Sequence, residues 1–561
     1  EMIMGTSLES ILESGARYDH LLQPVTDIHL HSHLELEAEP NGDVRYVTIF
    51  SIIAVFILLI ACINFMNLAT ARSAKRAREV GVRRTLGSSR FNLVYQFLSE
   101  SIFLAFLSVL VAMLLVRLSL PLYNRLLGTT LNIHFFTDLR VIPFLVLFAI
   151  LIGLLAGIYP ALFLASFRPI KVLRSQSGVT NRKSRLRSGL VIFQFTISIL
   201  LVAGAIIVNR QIAYMQNKKL GFDKDQLVII EKSDDLGSRL YPFIQTLQDY
   251  ADITEVSNSQ SLMGSEIGSD GYRREEGPLT DILTLAEINA DSRFADTYKL
   301  NLASGRYFAT GREADDKACV INQAMAEYLG YDDPIGRRIF EISGGPDQHR
   351  PFTIIGVVED FHFESLQHKI RPLVIRVLRD GQIGRYTTVR IRAHDIRKTL
   401  AFIKSEWKQQ TSGQAFEYRF FDDHFAQLFK AEQQTRTLVS VFSALAICVA
   451  CLGLFGMASF MTEQRTKEIG IRKTLGASVP NLFALLCREI VVHIFLATFI
   501  ALPVSYYAMT QWLQNYPYRI HYDFLGFFTA GILALSIAIL TVSNIALRAA
   551  RANPVNSLKY E

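Results

Sequence analysis

Long runs without charge alternate along this chain with short, strongly basic ones. Residues 47–70 (VTIFSIIAVFILLIACINFMNLAT) and 141–165 (VIPFLVLFAILIGLLAGIYPALFLA) carry no charged side chain. A helix of about 20 apolar residues spans a hydrocarbon core of about 30 Å. Seven segments meet that requirement, at 47–70, 98–120, 141–165, 189–208, 437–460, 487–508 and 525–547. Arg117 interrupts the second near its end, where its long stem can snorkel to the interface. Glu489 and His493 fall near the start of the sixth.

The segment 209–436 is patterned differently. QLVIIEK (226–232) and RYTTVRI (385–391) alternate as strands do, and PFTIIGVVEDFHFES (351–365) is rich in β-formers. KACVINQAMAEYLGYDDPIGRRI (317–339) reads as strand, helix and turn. IRKTLAFIKSEWKQQT (396–411) places Leu400, Ile403 and Trp407 at helical spacing. From 423, DHFAQLFKAEQQTRTLVSVF runs without a turn signal into the fifth apolar segment, which predicts one continuous stalk. The fold class is therefore an α-helical membrane protein with seven transmembrane helices plus a large mixed α/β extracytoplasmic domain.

Charge sets the orientation. The loop after the first apolar segment holds Arg72, Lys75, Arg76, Arg78, Arg83, Arg84 and Arg90 against Glu79. The loop before the fourth holds Arg168, Lys171, Arg174, Arg182, Lys183, Arg185 and Arg187 and no acid. Arg465, Lys467, Arg472 and Lys473 follow the fifth, and Arg548, Arg551 and Lys559 the seventh. The positive-inside rule places all of these in the cytoplasm and 209–436 outside. With half of its residues hydrophobic and 19% charged, the chain is too apolar for a soluble protein of its length. Its net charge of +7 belongs to loops facing anionic lipid. No zinc-finger spacing or RNA-binding aromatic signature points to a nucleic-acid partner. Seven helices with the C-terminus inside put residue 1 outside, yet 1–46 offers no hydrophobic span or secretory signal, so an upstream membrane helix is expected.

One stretch occurs twice. EVGVRRTLGSSRFNL (79–93) and EIGIRKTLGASVPNL (468–482) share nine of fifteen positions, and each lies between two apolar segments. FRPIKVLR (167–174) and ANPVNSLK (552–559) resemble each other in the same relative place. Two pseudo-repeated units packed about an axis along the membrane normal follow. The expected organisation is a remnant of a first extracytoplasmic domain at 1–46 and a three-helix membrane unit at 47–174. A basic cytoplasmic linker at 175–188, a helix opening the second unit at 189–208 and an α/β domain with stalk at 209–436 come next. A second three-helix unit at 437–561 closes the chain. Within the repeat, Val80, Thr85 or Leu86, and Leu93 could face the membrane or a partner, while Arg83 and Arg84 sit in water or against carboxylates. One copy alone would suit an amphipathic helix pinned at the interface. Two copies favour docking to a symmetric partner.

REVGVRRTLGSS and KEIGIRKTLGAS resemble the signature of the FtsX-like permeases, the membrane subunits of type VII ABC transporters of the MacB and LolCDE class. More narrowly, the chain resembles the double-unit form typical of Bacteroidota, and LLQPVTDIHLHSHLE (21–35) and VVEDFHFESLQHKIRPLV (357–374) resemble its external domains. In that family each unit has one helix, an external domain and three further helices, so a first helix and most of a first domain are expected upstream. The resemblance implies that Glu79, Gly81, Arg83, Arg84 and Gly87, with Glu468, Gly470, Arg472, Lys473 and Gly476, dock a cytoplasmic ABC ATPase present in two copies. It implies a bacterial inner-membrane location with the large domain in the periplasm, a membrane-lipid environment, and a periplasmic adaptor or envelope protein as a further partner. No cofactor is expected on this chain, because ATP and magnesium would sit on the partner ATPase.

Other chemistries are poorly supported. The nearest approach to a phosphate-binding GxxxxGK[ST] loop, GVTNRKS (178–184), has Arg182 where glycine is needed and is one residue short. His29, His31 and His33 would share a face if DIHLHSH were a strand, yet without a nearby cysteine they read as surface residues rather than a metal site. His362 and His368 with Glu359, Asp360 and Glu364 form a second polar cluster, without a recognisable hydrolase pattern. The five cysteines show no paired framework. Gly153 and Gly157 (GLLAG) and Gly453 and Gly456 (GLFG) are candidates for close helix packing. The near absence of ionisable groups in the helix centres argues against an ion-coupled carrier. The expected function is an ATP-driven permease that transmits ATPase closure to its external domain for efflux or extraction of a peptide, drug or lipidated substrate. The alternative is a non-transporting signalling complex controlling an envelope enzyme or sensor.

Overall fold

Among the described residues, seven helices long and apolar enough to cross a membrane occupy the segments that the hydropathy pattern marks. The computed structural model describes residues 2–3, 6–7, 22–32, 42–133, 140–165, 181–265, 267–276, 282–342, 349–379, 382–411, 413–521 and 524–551. Within these, the side-chain environment is not described at 2–3, 6–7, 71–79, 81, 163–165, 181–187, 464, 466–467 and 524–525. A short helix α1 (Val25–His31) precedes α2 (Val44–Thr85), α3 (Arg90–Leu127), α4 (Val141–Ala165) and α5 (Asn181–Gln216). After the α/β region come α10 (Lys430–Gln464), α11 (Thr466–Thr474), α12 (Val479–Leu513) and α13 (Phe524–Arg551). The intervening elements are β1 (Leu227–Ile230), α6 (Leu240–Gln248), β2 (Ile253–Ser259), β3 (Ser269–Arg274), β4 (Leu283–Ala290), β5 (Leu302–Gly305) and β6 (Ala318–Asn322). Then follow α7 (Gln323–Leu329), β7 (Arg338–Ile342), β8 (His349–Val358), β9 (Leu373–Val377), β10 (Tyr386–Ile391), α8 (Ile396–Gln410), β11 (Tyr418–Phe420) and α9 (Phe421–Leu428).

The chain divides into a helical unit (Val44–Ala213, Glu432–Gln514, Ile520–Glu561) and an α/β unit (Glu1–Asp43, Tyr214–Ala431, Asn515–Arg519). In the helical unit, α5 is central, with 67% of its apolar window buried against 6% for α3. Phe195, Ile199 and Ala203 of α5 share one core with Ile494, Ala497 and Ala501 of α12 and Ala530, Ala538 and Val542 of α13. The exposed Phe103, Leu107, Leu114 and Leu118 of α3 are the apolar surface that a bilayer would cover. Small residues let backbones approach. A Cβ on Gly153 would lie 2.6 Å from Ile102 Cα, and one on Gly157 2.6 Å from Ser101 Cβ, which brings α4 close to α3. Gly453 and Gly456 of α10 lie against Asn64 and Leu68 of α2.

In the α/β unit an eleven-stranded sheet closes partly on itself. Strands β9, β6, β8, β7, β3 and β4 pair in that order, and β4 pairs back in parallel with β9, giving a six-stranded closed circuit. Strand alternation turns Tyr272, Leu285, Cys319, Ile321, Ile339, Phe352, Ile354 and Val374 into a single buried core. The sheet continues from β4 through β2, β10 and β1 to β11. Here α6 and α8 cover one face, with Phe243 and Trp407 edge to face at 5.9 Å and Ile403 fully buried. Asn322 caps α7 by accepting from the Met325 N–H.

Three expectations change. The continuous stalk is broken at Phe429, where α9 ends before α10 begins. Phe429 is buried and meets the Phe425 ring at 5.3 Å, and the break falls where the sequence carries no Gly or Pro signal. DIHLHSH is not a strand over its described part, because His29 and His31 lie on α1. Two apart on a helix, they do not share a face. His33 lies outside the described residues. Asn181–Ser188, expected within a linker, is already part of α5. The rest of that linker and the paired motifs at 167–174 and 552–559 lie outside the described residues.

Candidate functional site

The repeated stretch forms a helical elbow in both copies. In the first it continues the 42-residue helix α2, which at about 1.5 Å per residue is about 63 Å long and outruns an apolar core of about 30 Å. In the second, the chain turns at Arg465 and the stretch becomes the separate helix α11. The two ends are then alike. The Ser88 N–H donates to Arg83 O (3.1 Å) and the Gly87 N–H to Arg84 O (3.2 Å). The Ala477 N–H donates to Arg472 O (2.9 Å) and the Gly476 N–H to Lys473 O (3.1 Å). This paired pattern is the Schellman motif, which needs a left-handed residue at its centre. Gly87 (φ +99°) and Gly476 (φ +93°) supply it. The next helix starts at once. Ser89 accepts from the Asn92 N–H to cap α3, and Pro480 sits in the first turn of α12.

Each elbow turns one apolar pair inward and another outward. Val80 packs with Leu93 and Phe97, and Ile469 lies in the same core as Leu482. Val80 and Leu93 are therefore internal, and neither faces a partner. Val82 and Ile471 are each 46% exposed, and Leu86 and Leu475 each 82%. Val82–Leu86 and Ile471–Leu475 are i,i+4 pairs, so each elbow carries an exposed apolar ridge on one helix face. Val82 and Ile471 are not among the residues that the sequence singles out, although their spacing to the following leucine was the available signal.

The basic residues frame these ridges. Arg83 donates to Gln96 Oε1 (3.1 Å), and Arg84 is half-buried. Glu468 pairs with Arg472 (2.9 Å), Lys473 donates to Ala550 O (2.9 Å), and Arg465 pairs with Glu489 (2.6 Å). Gly470 is buried. Glu79 and Gly81 lie on α2, with no side-chain environment described. The elbow presents apolar contact and positive charge. Among its described residues no nucleophile is paired with a base.

The α/β unit disperses the second polar cluster. Glu359 accepts from Asn301, Asp360 accepts from the Ala324 N–H, and Glu364 pairs with Arg371. His362 is buried edge-on to Tyr518 at 4.8 Å, and Lys218 lies 3.9 Å over that same ring. Burial, with the Lys218 charge adding to it, lowers His362 to about 4. Inside the closed circuit, Arg376 bridges Glu287 and Glu341. Tyr272 donates to Glu287, and burial pushes the Tyr272 phenol upward. Asp270, Glu287 and Glu341 lie within 4.8 Å of one another, but Arg376 already compensates two of them, which makes this an internal ion network.

Comparison with known proteins agrees with this division. Residues 51–169 and 440–554 both match the FtsX-like permease C-terminal model, and 189–400 match the MacB-like periplasmic core domain. The second match starts 389 residues after the first (51 to 440), the same offset as between the repeated stretches (79 to 468). The uncharacterized ABC transporter permease YknZ of Bacillus subtilis is 34% identical over 127 residues, 23% of this chain and 31% of that protein. The pyoverdine export ATP-binding/permease protein PvdT of Pseudomonas syringae is 26% identical over 251 residues, 41% of this chain and 36% of that protein. The matched region thus spans only about a third of the length of each. The crystallised periplasmic region of MacB from Actinobacillus actinomycetemcomitans aligns with 36% of this chain and 93% of that one, at 15% identity and a TM-score of 0.28.

Proposed function

We propose, from the premise that this chain belongs to the FtsX-like permeases and is a multi-pass ABC transporter permease, that its two elbows seat two copies of a separate cytoplasmic ATPase. The observation that carries this reading is the duplication of one exposed geometry: a Schellman turn, a left-handed glycine and a leucine 82% exposed, at both Leu86 and Leu475. A free chain gains nothing from exposing the same apolar ridge twice on its basic side, whereas a two-fold partner would cover both. Nucleotide-driven closure of the partner would draw the elbows together and move the helices that run from them. The α/β unit, on the periplasmic side of a bacterial inner membrane, would receive that motion.

The work done there is efflux or extraction of a peptide, drug or lipidated substrate. Export is the activity named for PvdT and the MacB proteins, and it supports transport over signalling. Those relatives are named as combined ATP-binding and permease proteins, whereas YknZ is named as a permease alone, the case this reading assigns to the present chain. Co-reconstitution of the full chain with its ATPase in lipid nanodiscs tests the reading. ATP hydrolysis should depend on the permease, and Gly87→Val with Gly476→Val should uncouple it. Coupling that persists in the double variant overturns the docking assignment.

A further inference from the structure

The 389-residue offset that relates the two FtsX-like segments also relates the helices that enter them, α2 and α10. ACINFMNLA (61–69) aligns with ACLGLFGMA (450–458), so Asn64 corresponds to Gly453, Asn67 to Gly456 and Ile60 to Val449. These equivalent positions meet. A Cβ on Gly453 would collide with the Asn64 carboxamide, and one on Gly456 with Leu68. Asn64 Nδ2 donates to Val449 O at 2.5 Å, and Asn64 is 7% exposed. Its Oδ1 is buried without a hydrogen-bond partner, against the backbone that Gly453 leaves bare. Gln194 of α5 reaches the next carbonyl, Ala450 O, at 3.2 Å.

A two-fold axis relating the halves turns any contact between residue i of the first and j of the second into its image between j − 389 and i + 389. The contact of Asn64 with Gly453 is its own image. It lies where the axis would pass, and there the two halves have diverged to one large polar residue and one glycine. We infer that Asn64 and Gly453 form a one-way lock on this axis, which fits the first half to the second half of the same chain and not to a copy of itself. Two asparagines at the axis would put two carboxamides into space for one. Two glycines would leave a void and remove the amide donor to the α10 carbonyl. The inference rests on the two-half reading above, but not on what the elbows bind.

The test uses the full chain in nanodiscs, with Asn64→Gly, Gly453→Asn and the double swap. Readouts are the folded, monodisperse fraction after a heat challenge and binding of the ATPase to the same samples. Losing one interhelical hydrogen bond should lower the folded-to-unfolded ratio about threefold in Asn64→Gly. Overpacking should lower it at least about tenfold in Gly453→Asn. The swap should return to within about threefold of wild type, and a cryo-EM map of it should place the carboxamide introduced at position 453 on the Ile60 carbonyl. A swap no better than Gly453→Asn, or a Gly453→Asn variant as stable as wild type, overturns the lock. Recovery by the swap without ATPase binding would leave the lock standing and remove the docking reading. ATPase binding with no recovery would do the reverse.

Discussion

Replacing Leu86 and Leu475 by alanine isolates the contact that the elbows are assigned. Both side chains are 82% exposed, so truncation leaves no cavity in the free chain, and surface changes of this kind stay within about 0.5 kcal/mol. Fully burying a leucine contributes about 1.5–3 kcal/mol, so covering four-fifths of one gives about 2 kcal/mol at each elbow. That corresponds to about thirtyfold weaker binding per ATPase site. The assay is a titration of labelled ATPase into nanodiscs holding the full chain, run beside a thermal melt of the chain alone. The affinity should fall by about this factor while the melt is unchanged. Affinity within about threefold of wild type, with an unchanged melt, would refute the claim that the leucines are covered by the partner.

Gly87→Ala and Gly476→Ala each meet no atom within 4 Å but must hold a left-handed backbone, and should cost about 1–2 kcal/mol in chemical denaturation, with Asn milder than Ala at either site. Arg376→Met leaves Glu287 and Glu341 buried without their shared cation, and should destabilise the α/β unit by about 3–5 kcal/mol, read from Trp407 fluorescence in urea. His362 titrates near 4 when folded against an ordinary 6.5, so between these values the unfolded chain binds a proton that the folded one does not. Stability should therefore fall as pH drops from about 6.5 towards 4 and be insensitive to this group above 6.5. His362→Phe should flatten the melting temperature across that window.

The seven spans were legible because a bilayer imposes a length and a composition that few other structures need. The strands at 227–230 and 386–391 were legible from alternation, and that at 318–322 as a short strand before a helix and turn. Closure of the sheet was not, since the parallel β4–β9 pairing joins residues about ninety apart and leaves no local signature. The break at Phe429 falls in a stretch without Gly or Pro, so helical character alone carried the reading past it. At the elbows, repetition marked the two turns and their glycines as a candidate site. It did not tell Val80, which packs on Leu93, from Val82, which is exposed, because that depends on how the helix turns towards its neighbour.

Whether an ATPase sits on the elbows can be read by site-specific photo-crosslinking. A photoreactive residue is placed at position 86 or 475 of the full chain in membranes that also contain its ATPase, with positions 103 and 114 on the apolar face of α3 as controls. Docking predicts that both elbow positions form covalent adducts with the ATPase and that the control positions do not. Adducts at neither elbow, or at the elbows no more than at the controls, would contradict it.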